Sequence, residues 1–477
     1  MRILGIDQGT SATKAVVVDH DGSVLARAEV PVPVEAGADG RVEVDPEALW
    51  SSVVRAGCAA LADAGGRVDA IGLANQGETV LAWDRSSGRP CSTGIVWQDR
   101  RASVVSDRLH AAGLGDRLTR ITGLELDPYF VAPKVVWLRE QVGADATIGT
   151  TDTWLLQRLT EAFVTDAATA SRTLLLDLDR VEWSDEACTA FGIDLEALPT
   201  IVDNAGAIGE TTAFGSTPLP VTGVCVDQQA ALFAERCHTA GEAKCTYGTG
   251  AFLLACTGAT PTRSHGGLVG CVAWRLDGAS TWCLDGQVYT VGAAITWLER
   301  IGLIGSAGDL DALGGSVADT GGVTFVPGLA GLAAPFWQPH ARGAFTGLSL
   351  ATERAHLVRA VVEGIAAQVA FLALAAGGDL GRPLTRLRVD GGLTRSRLLL
   401  QLQADLLQAP VEVYPSMDAT ALGVAALARL GHGGGTPHDA LGPWRPAQVV
   451  EPSIGPDEAA ERLERWRLAA DATAALR

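Results

Sequence analysis

The sequence predicts an α/β protein built from two large domains. Three observations carry that expectation: the length of the chain, its strand–turn–strand opening, and the return of the same strand-to-glycine-turn grammar in the second half. At 477 residues the chain exceeds what one hydrophobic core usually organises, so it is expected to divide.

Residues 2–7 form the first expected strand, apolar at Ile3, Leu4 and Ile6 and ending in Asp7. Gln8-Gly9-Thr10-Ser11 makes a tight turn into a second strand over 13–19. His20-Asp21-Gly22 has hairpin-turn chemistry, and a third strand follows over 23–30. Residues 45–62 have helical periodicity, with Asp45 as N-cap and Pro46 in the first helical position. A short apolar strand over 68–73 runs into the polar loop Asn75-Gln76-Gly77-Glu78-Thr79. The second pass begins with an apolar strand over 221–226 that ends at Asp227, followed by a helix over 228–237. A strand over 243–247 then meets Gly248-Thr249-Gly250. Later a strand over 384–389 ends in Asp390-Gly391-Gly392, and a helix follows over 396–407. The recurrence suggests duplicated α/β units, with domains expected at 1–225 and 226–477 and a hinge near 220–226.

Composition excludes several classes. Hydrophobic residues make up 47% and charged residues 19%, which is a globular balance. The formal charge of −18 and the lack of basic runs argue against nucleic-acid and anionic-membrane partners. The nine cysteines include no C-x-x-C pair and no zinc spacing, so they read as small buried hydrophobes in a reducing, cytoplasmic compartment. No signal peptide is expected, because the N-terminus enters a strand at once. The apolar stretch 358–376 contains Arg359, Glu363 and Gln368, so it reads as a buried helix.

The turn Asp7-Gln8-Gly9-Thr10-Ser11 suits a triphosphate tail. Glycine lets the backbone turn so that amides point outward, and Thr10, Ser11 and Thr13 add hydroxyls. A carboxylate repels phosphate, so the sensible task for Asp7 is holding Mg²⁺, while Lys14 can neutralise phosphate charge. An ordinary hairpin with a polar tip explains the same five residues. Gly248-Thr249-Gly250 can clasp phosphates from the other side, and Gly391-Gly392 leaves room for a flat ring. Neither a Walker loop nor a G-x-G-x-x-G turn after the first strand is present.

Nearly end to end, the chain resembles the FGGY carbohydrate kinases, and among them the glycerol kinases most. The resemblance rests on residues 5–19 (GIDQGTSATKAVVVD), 71–79 (IGLANQGET), 95–101 (IVWQDRR) and 149–155 (GTTDTWL). It continues through 227–233 (DQQAALF), 246–252 (TYGTGAF), 331–347 (GLAAPFWQPHARGAFTG), 387–392 (LRVDGG) and 420–423 (TALG). It implies the actin/hexokinase-like (ribonuclease H-like) fold, whose two α/β domains close over ATP and a small polyol or sugar in an interdomain cleft. It also implies roles. Asp227 matches the base that accepts the proton of the attacking hydroxyl, although a strand-end aspartate can equally cap the next helix. Glu78, Trp97, Tyr129, Asp227, Gln228 and Phe252 match polyol contacts. Thr10, Ser11, Lys14, Thr249, Gly292, Gly391 and Gly392 match nucleotide contacts, and Asp7 matches the Mg²⁺ holder. A homodimer is a further expectation from the resemblance.

Departures from the pattern are as informative. Lys14 stands where arginine is common, Thr296 where glutamine is, and Ser396 where asparagine is. Glycerol kinases usually read N-Q-R-E-T where this chain has Asn75-Gln76-Gly77-Glu78-Thr79, so Gly77 replaces an arginine that binds a terminal hydroxyl. Losing one charge-assisted hydrogen bond, worth roughly 1.5–3 kcal/mol, weakens glycerol binding about tenfold to a hundredfold. The space opened favours a polyol or ketose longer than glycerol, and a xylulokinase-like ketopentose activity is the alternative. The loop Phe214-Gly215-Ser216-Thr217-Pro218-Leu219 lacks the arginine or histidine that regulates some glycerol kinases, so bisphosphate inhibition by that route is not expected. A non-catalytic actin-like nucleotide-binding protein would keep Asp7 and the glycine turns, but gives no reason for Glu78, Trp97, Tyr129 and Asp227 to occur together.

Overall fold

Two twisted sheets with the same internal plan organise the chain. The computed structural model describes residues 1–37, 40–143, 145–338 and 340–475; Pro339, inside the 331–347 run, lies outside the described residues. In the first sheet, Ile3–Gln8 pairs antiparallel with Ala12–Val18, which pairs antiparallel with Val24–Pro31. On its other side Ile3–Gln8 runs parallel to Ala70–Asn75, which runs parallel to Leu219–Val226. The second sheet repeats this plan: Ala243–Tyr247 is antiparallel to Ala251–Gly258 and parallel to Leu387–Asp390, which is parallel to Val411–Val413. Each sheet therefore combines antiparallel strands on one side with two parallel strands on the other, the duplicated arrangement of the actin/hexokinase-like fold. In the second sheet Ala279–Val288 lies between Ala251–Gly258 and Val269–Leu276.

Local chemistry accounts for most element ends. Asp45 caps helix Pro46–Asp63 by accepting the Glu47 amide. Ser396 likewise caps Arg397–Leu407 through the Leu399 amide, so that helix begins one residue later than the sequence suggests. The strand expected over 68–73 occupies Ala70–Asn75, and the one expected over 384–389 occupies Leu387–Asp390. The helix after Asp227 is Asp227–Ala234, with Val226 in the cap position. Asp227 is thus the first helical residue rather than a cap, and its Oδ1 accepts the Gln228 amide at 2.7 Å.

The chain leaves the first sheet at Val226 and enters the second at Ala243, with Asp227–Ala234 between them. The boundary expected at 225/226 falls at the end of a strand in the first sheet. Helix Ala419–Gly433, late in the sequence, packs back on that first sheet. Three glycines on adjacent strands, Gly5, Gly72 and Gly223, lie in register beneath it. A Cβ on Gly5 would sit 2.2 Å from the Ala421 carbonyl oxygen, one on Gly72 2.3 Å from that of Val424, and one on Gly223 2.4 Å from the Ala428 nitrogen. The absence of side chains lets helix and sheet meet backbone to backbone, without the usual layer of side chains between them. The same helix meets Asp227–Ala234 at Gly423, where a Cβ would lie 1.8 Å from the Ala230 carbonyl oxygen.

Helix Arg354–Leu380 is long and apolar enough to cross a membrane, yet 78% of its most apolar window is buried inside the protein. Of the nine cysteines, Cys91 is exposed and Cys58 half-buried; the other seven are buried, as small apolar residues would be.

Candidate active site

A cavity of about 170 Å³ opens where the strand ends of the two sheets face each other. The elements around it place the candidate residues as follows. Asp227 opens the helix that follows Leu219–Val226, the strand next to the edge of the first sheet, with Gln228 beside it. Glu78 lies in the turn before strand Val80–Trp83, and Trp97 in the turn after strand Gly94–Ile95. Phe252 comes from strand Ala251–Gly258, and Tyr129 from the turn before helix Val131–Val142. All six line this one cavity, as do Thr10 and Ser11 of the first turn and Thr249 of the second.

The aromatic residues form one wall. Trp97 meets Tyr129 and Phe252 edge-on, with ring centroids 5.9 Å and 5.8 Å apart. Its indole N–H donates to Thr10 Oγ1 at 2.9 Å, tying the wall to the first turn. Glu78 occupies a left-handed backbone conformation (φ 53°), a strained state for a residue with a side chain. Gly77 also lines the cavity, and a Cβ there would lie 3.1 Å from Val226 Cγ2, so the space it leaves open is bounded by that valine.

The electrostatics centre on buried carboxyls. Burial pushes the Asp227 carboxyl up to about 7; the charges of Asp7 and Glu78 push the same way, against the Gln228 amide and Lys244. Asp7 is also raised to about 7, by burial opposed chiefly by Lys14, which stands directly opposite it on the neighbouring strand. Burial raises Glu78 as well, and Arg172 opposes it. Arg172 Nε donates to Glu78 Oε1 at 2.6 Å, and its Nη1 lies 2.7 Å from Asp285 Oδ2. All three side chains are at most 5% exposed. Burial works against the guanidinium, but the two carboxylates outweigh it and hold the charge well above the ordinary arginine range.

Of the nucleotide candidates, Thr10, Ser11 and Thr249 line the cavity, whereas Lys14, Gly292, Gly391 and Gly392 do not. Gly292 and Gly391 pack around the second turn. Gly292 N donates to the Gly248 carbonyl at 3.0 Å, and a Cβ on Gly292 would sit 2.7 Å from that oxygen. Gly391 has φ 97° and no room for a Cβ beside the Tyr247 carbonyl oxygen, 2.4 Å away, so glycine is required twice over. Gly392 begins the short helical turn Gly392–Arg395. Thr296 turns its hydroxyl back to the Gly292 carbonyl, and Ser396 donates to Asp311 Oδ1 at 2.5 Å, so both hydroxyls are engaged within the protein.

Three residues of this region escaped the sequence reading: Arg172 and Asp285 on the cavity wall, and Lys244 behind it. Asp285 alone carries a signal, a lone charge within 282–288 (WCLDGQV), where a buried charge requires a partner. Arg172 sits between Ser171 and Thr173, and Lys244 lies two residues from Glu242, so neither stands out in sequence.

A two-sheet fold of this plan, with a carboxylate, hydroxyls and the Gly248-Thr249 turn at one cavity, is the arrangement of a kinase that transfers a phosphoryl group from ATP to an alcohol. The N-terminal domain of the FGGY family of carbohydrate kinases matches residues 2–234, and the C-terminal domain of that family matches residues 243–431. The chain belongs to the FGGY family of carbohydrate kinases. It is 41% identical to a glycerol kinase of Myxococcus xanthus over 98% of each chain. Among solved structures, it superposes on the Plasmodium falciparum glycerol kinase with ADP at a TM-score of 0.90 and 30% identity, covering 99% of this chain and 98% of that one. A Brucella ovis protein described as a xyloylose kinase matches at a TM-score of 0.90 and 26% identity over the whole of both chains.

Proposed function

We propose that this kinase phosphorylates a terminal hydroxyl of a polyol or ketose of four or five carbons, with Asp227 as the base. The observation that carries the reading is the wall beside Asp227: Gly77, next to Val226, contributes no side chain, while Glu78 is held by Arg172 and offers carboxylate oxygen to substrate hydroxyls. An alcohol is too weak an acid to ionise first. Asp227 therefore orients the hydroxyl and accepts its proton as the bond to phosphorus forms. Tyr129 adds a phenolic donor, and Trp97 with Phe252 covers the C–H face.

Thr10, Ser11 and Thr249 face the same cavity, where the end phosphate of ATP must meet the acceptor. Asp7, a half-buried carboxyl with no side-chain hydrogen bond or ion pair among the described residues, has the character of a Mg²⁺ holder. When bound, Mg²⁺ would neutralise phosphate charge. Lys14 lies opposite and adds to that neutralisation.

A coupled ADP-release screen over C3 to C6 polyols and ketoses tests the reading. A four- or five-carbon acceptor is expected to exceed glycerol in kcat/KM by about tenfold or more. Glycerol clearly ahead of tetritols, pentitols and pentuloses would overturn the chain-length assignment while leaving the kinase reading intact.

A further inference from the structure

Lys244 lies on strand Ala243–Tyr247, fully buried at 0% exposure. Its Nζ donates to Gln228 Oε1 at 2.6 Å and to Thr246 Oγ1 at 2.7 Å, and both of those residues line the cavity. An ammonium has donors and no acceptor, so the Gln228 atom it meets must be the carbonyl oxygen. The amide therefore cannot flip without setting two donors against each other. Its NH₂ group has no protein partner among the described residues.

Such a cation is tolerated away from water because carboxyls surround it. Glu235, Asp285 and Asp390 are buried and Asp227 is half-buried, and its charge opposes the rise that burial imposes on each. Lys244 is thus fixed by the second sheet, while Gln228 sits on the helix that leaves the first.

We propose that Lys244 is a positioning residue that locks the Gln228 amide with its donor end toward the substrate, so that the site selects an acceptor oxygen next to the hydroxyl being phosphorylated. The inference deepens the proposed function and rests on Asp227 and Gln228 holding the acceptor. These consecutive residues present opposite chemistry, an acceptor at Asp227 and a donor at Gln228. That pair matches two neighbouring oxygens, one giving up its proton and the other receiving a hydrogen bond. The substrate class is then a terminal vicinal diol or an α-hydroxy carbonyl, rather than an isolated primary alcohol.

The experiment measures kcat/KM for the best acceptor of the screen and for its analogue lacking the hydroxyl beside the attacked one. Lys244→Met is expected to shrink that preference about tenfold, leaving the KM for ATP unchanged. Gln228→Ala should shrink it similarly, and the double variant no further than either single one. Equal losses with both acceptors, together with a raised KM for ATP, would mean that Lys244 merely supports the fold and would overturn the proposal. If Lys244→Met does not fold, the wild type decides. An analogue carrying fluorine in place of the neighbouring hydroxyl can accept but not donate, and it should outperform the deoxy analogue. Parity between the two would sink the donor assignment. A wild type that no polyol or ketose stimulates would instead remove the proposed function itself, and this inference with it.

Discussion

Asp227 is the residue on which the chemistry turns, and its environment makes two outcomes measurable. Asp227→Asn keeps the side-chain shape and the bond from the Gln228 amide but removes the proton acceptor; product formation should fall about 10²- to 10⁴-fold in a coupled assay. The carboxyl sits at about 7, so kcat/KM should rise with pH through that value as the base ionises. The stability effect has the opposite sign. A folded-state value above the ordinary 3.8 means that the native protein holds this proton more tightly than the unfolded chain. That stabilisation is complete below about 3.8 and is lost as the pH climbs to about 7. Asp7 and Asp166, both raised to about 7 with burial as the first cause, act in the same direction. Lys134, lowered to about 7 by burial, and His238, also lowered by burial, act in the opposite direction, Lys134 only at the top of this window, and are outnumbered by the raised carboxyls. Without nucleotide and Mg²⁺, the melting temperature should therefore fall between pH 5 and pH 7, and less steeply in Asp227→Asn; a flat or rising profile would contradict the assigned burial. Arg172 supports a prediction of another kind. Arg172→Met leaves Glu78 and Asp285 buried without their cation, which should destabilise the fold by about 3–5 kcal/mol in urea unfolding, because breaking a buried pair costs far more than its net worth.

Elements were legible in the sequence where local chemistry alone defines them. The Asp45 cap, the hairpin at 20–22 and the glycine turns at 248–250 and 391–392 could be read because a cap or a turn needs particular residues at particular offsets. The candidate positions around the cavity were legible as a set through family resemblance, since nothing in the spacing of Glu78, Trp97 and Tyr129 shows that three separate segments meet. The Arg172–Glu78–Asp285 chain and the Lys244–Gln228 pair were not legible, because each joins residues brought together only by tertiary packing. The same holds for the glycines beneath helix Ala419–Gly433. In sequence, Gly5, Gly72 and Gly223 look like residues that weaken a strand, whereas in the fold they set the distance of closest approach between helix and sheet. Gly72→Val places a side chain against the Val424 carbonyl, a backbone atom that cannot rotate away, so a loss of about 1–3 kcal/mol or more is expected. Gly215→Ala, with nothing within 4 Å of the added carbon, serves as the control and should change stability by no more than about 0.5 kcal/mol. Equal effects at the two positions would show that the close approach does not constrain the sheet.

At the scale of the whole molecule, the path of the chain means that the first half cannot be complete by itself. Its sheet is assembled by Val226, but the helix that covers the glycine face, Ala419–Gly433, is contributed after almost all of the second sheet has been laid down. That helix also braces Asp227–Ala234 through the Gly423 contact, so the position of the proposed base depends on residues nearly two hundred positions further along. A fragment ending at the boundary suggested by sequence, residues 1–225, would expose the row formed by Gly5, Gly72 and Gly223, together with Ile3 and Ala70, which are buried in the same packing layer. Uncovered apolar sheet of this kind lacks the burial needed for a cooperative fold and favours association. The fragment is therefore expected to aggregate or to unfold without a cooperative transition by circular dichroism. Co-expression of residues 1–238 with residues 239–477 should restore polyol-dependent ADP release, because the second piece returns the covering helix. A soluble 1–225 fragment with a sharp melting transition would show that the sheet is self-sufficient. The two halves would then be independent domains joined at 225/226, rather than bodies that share a helix and, through it, the placement of Asp227.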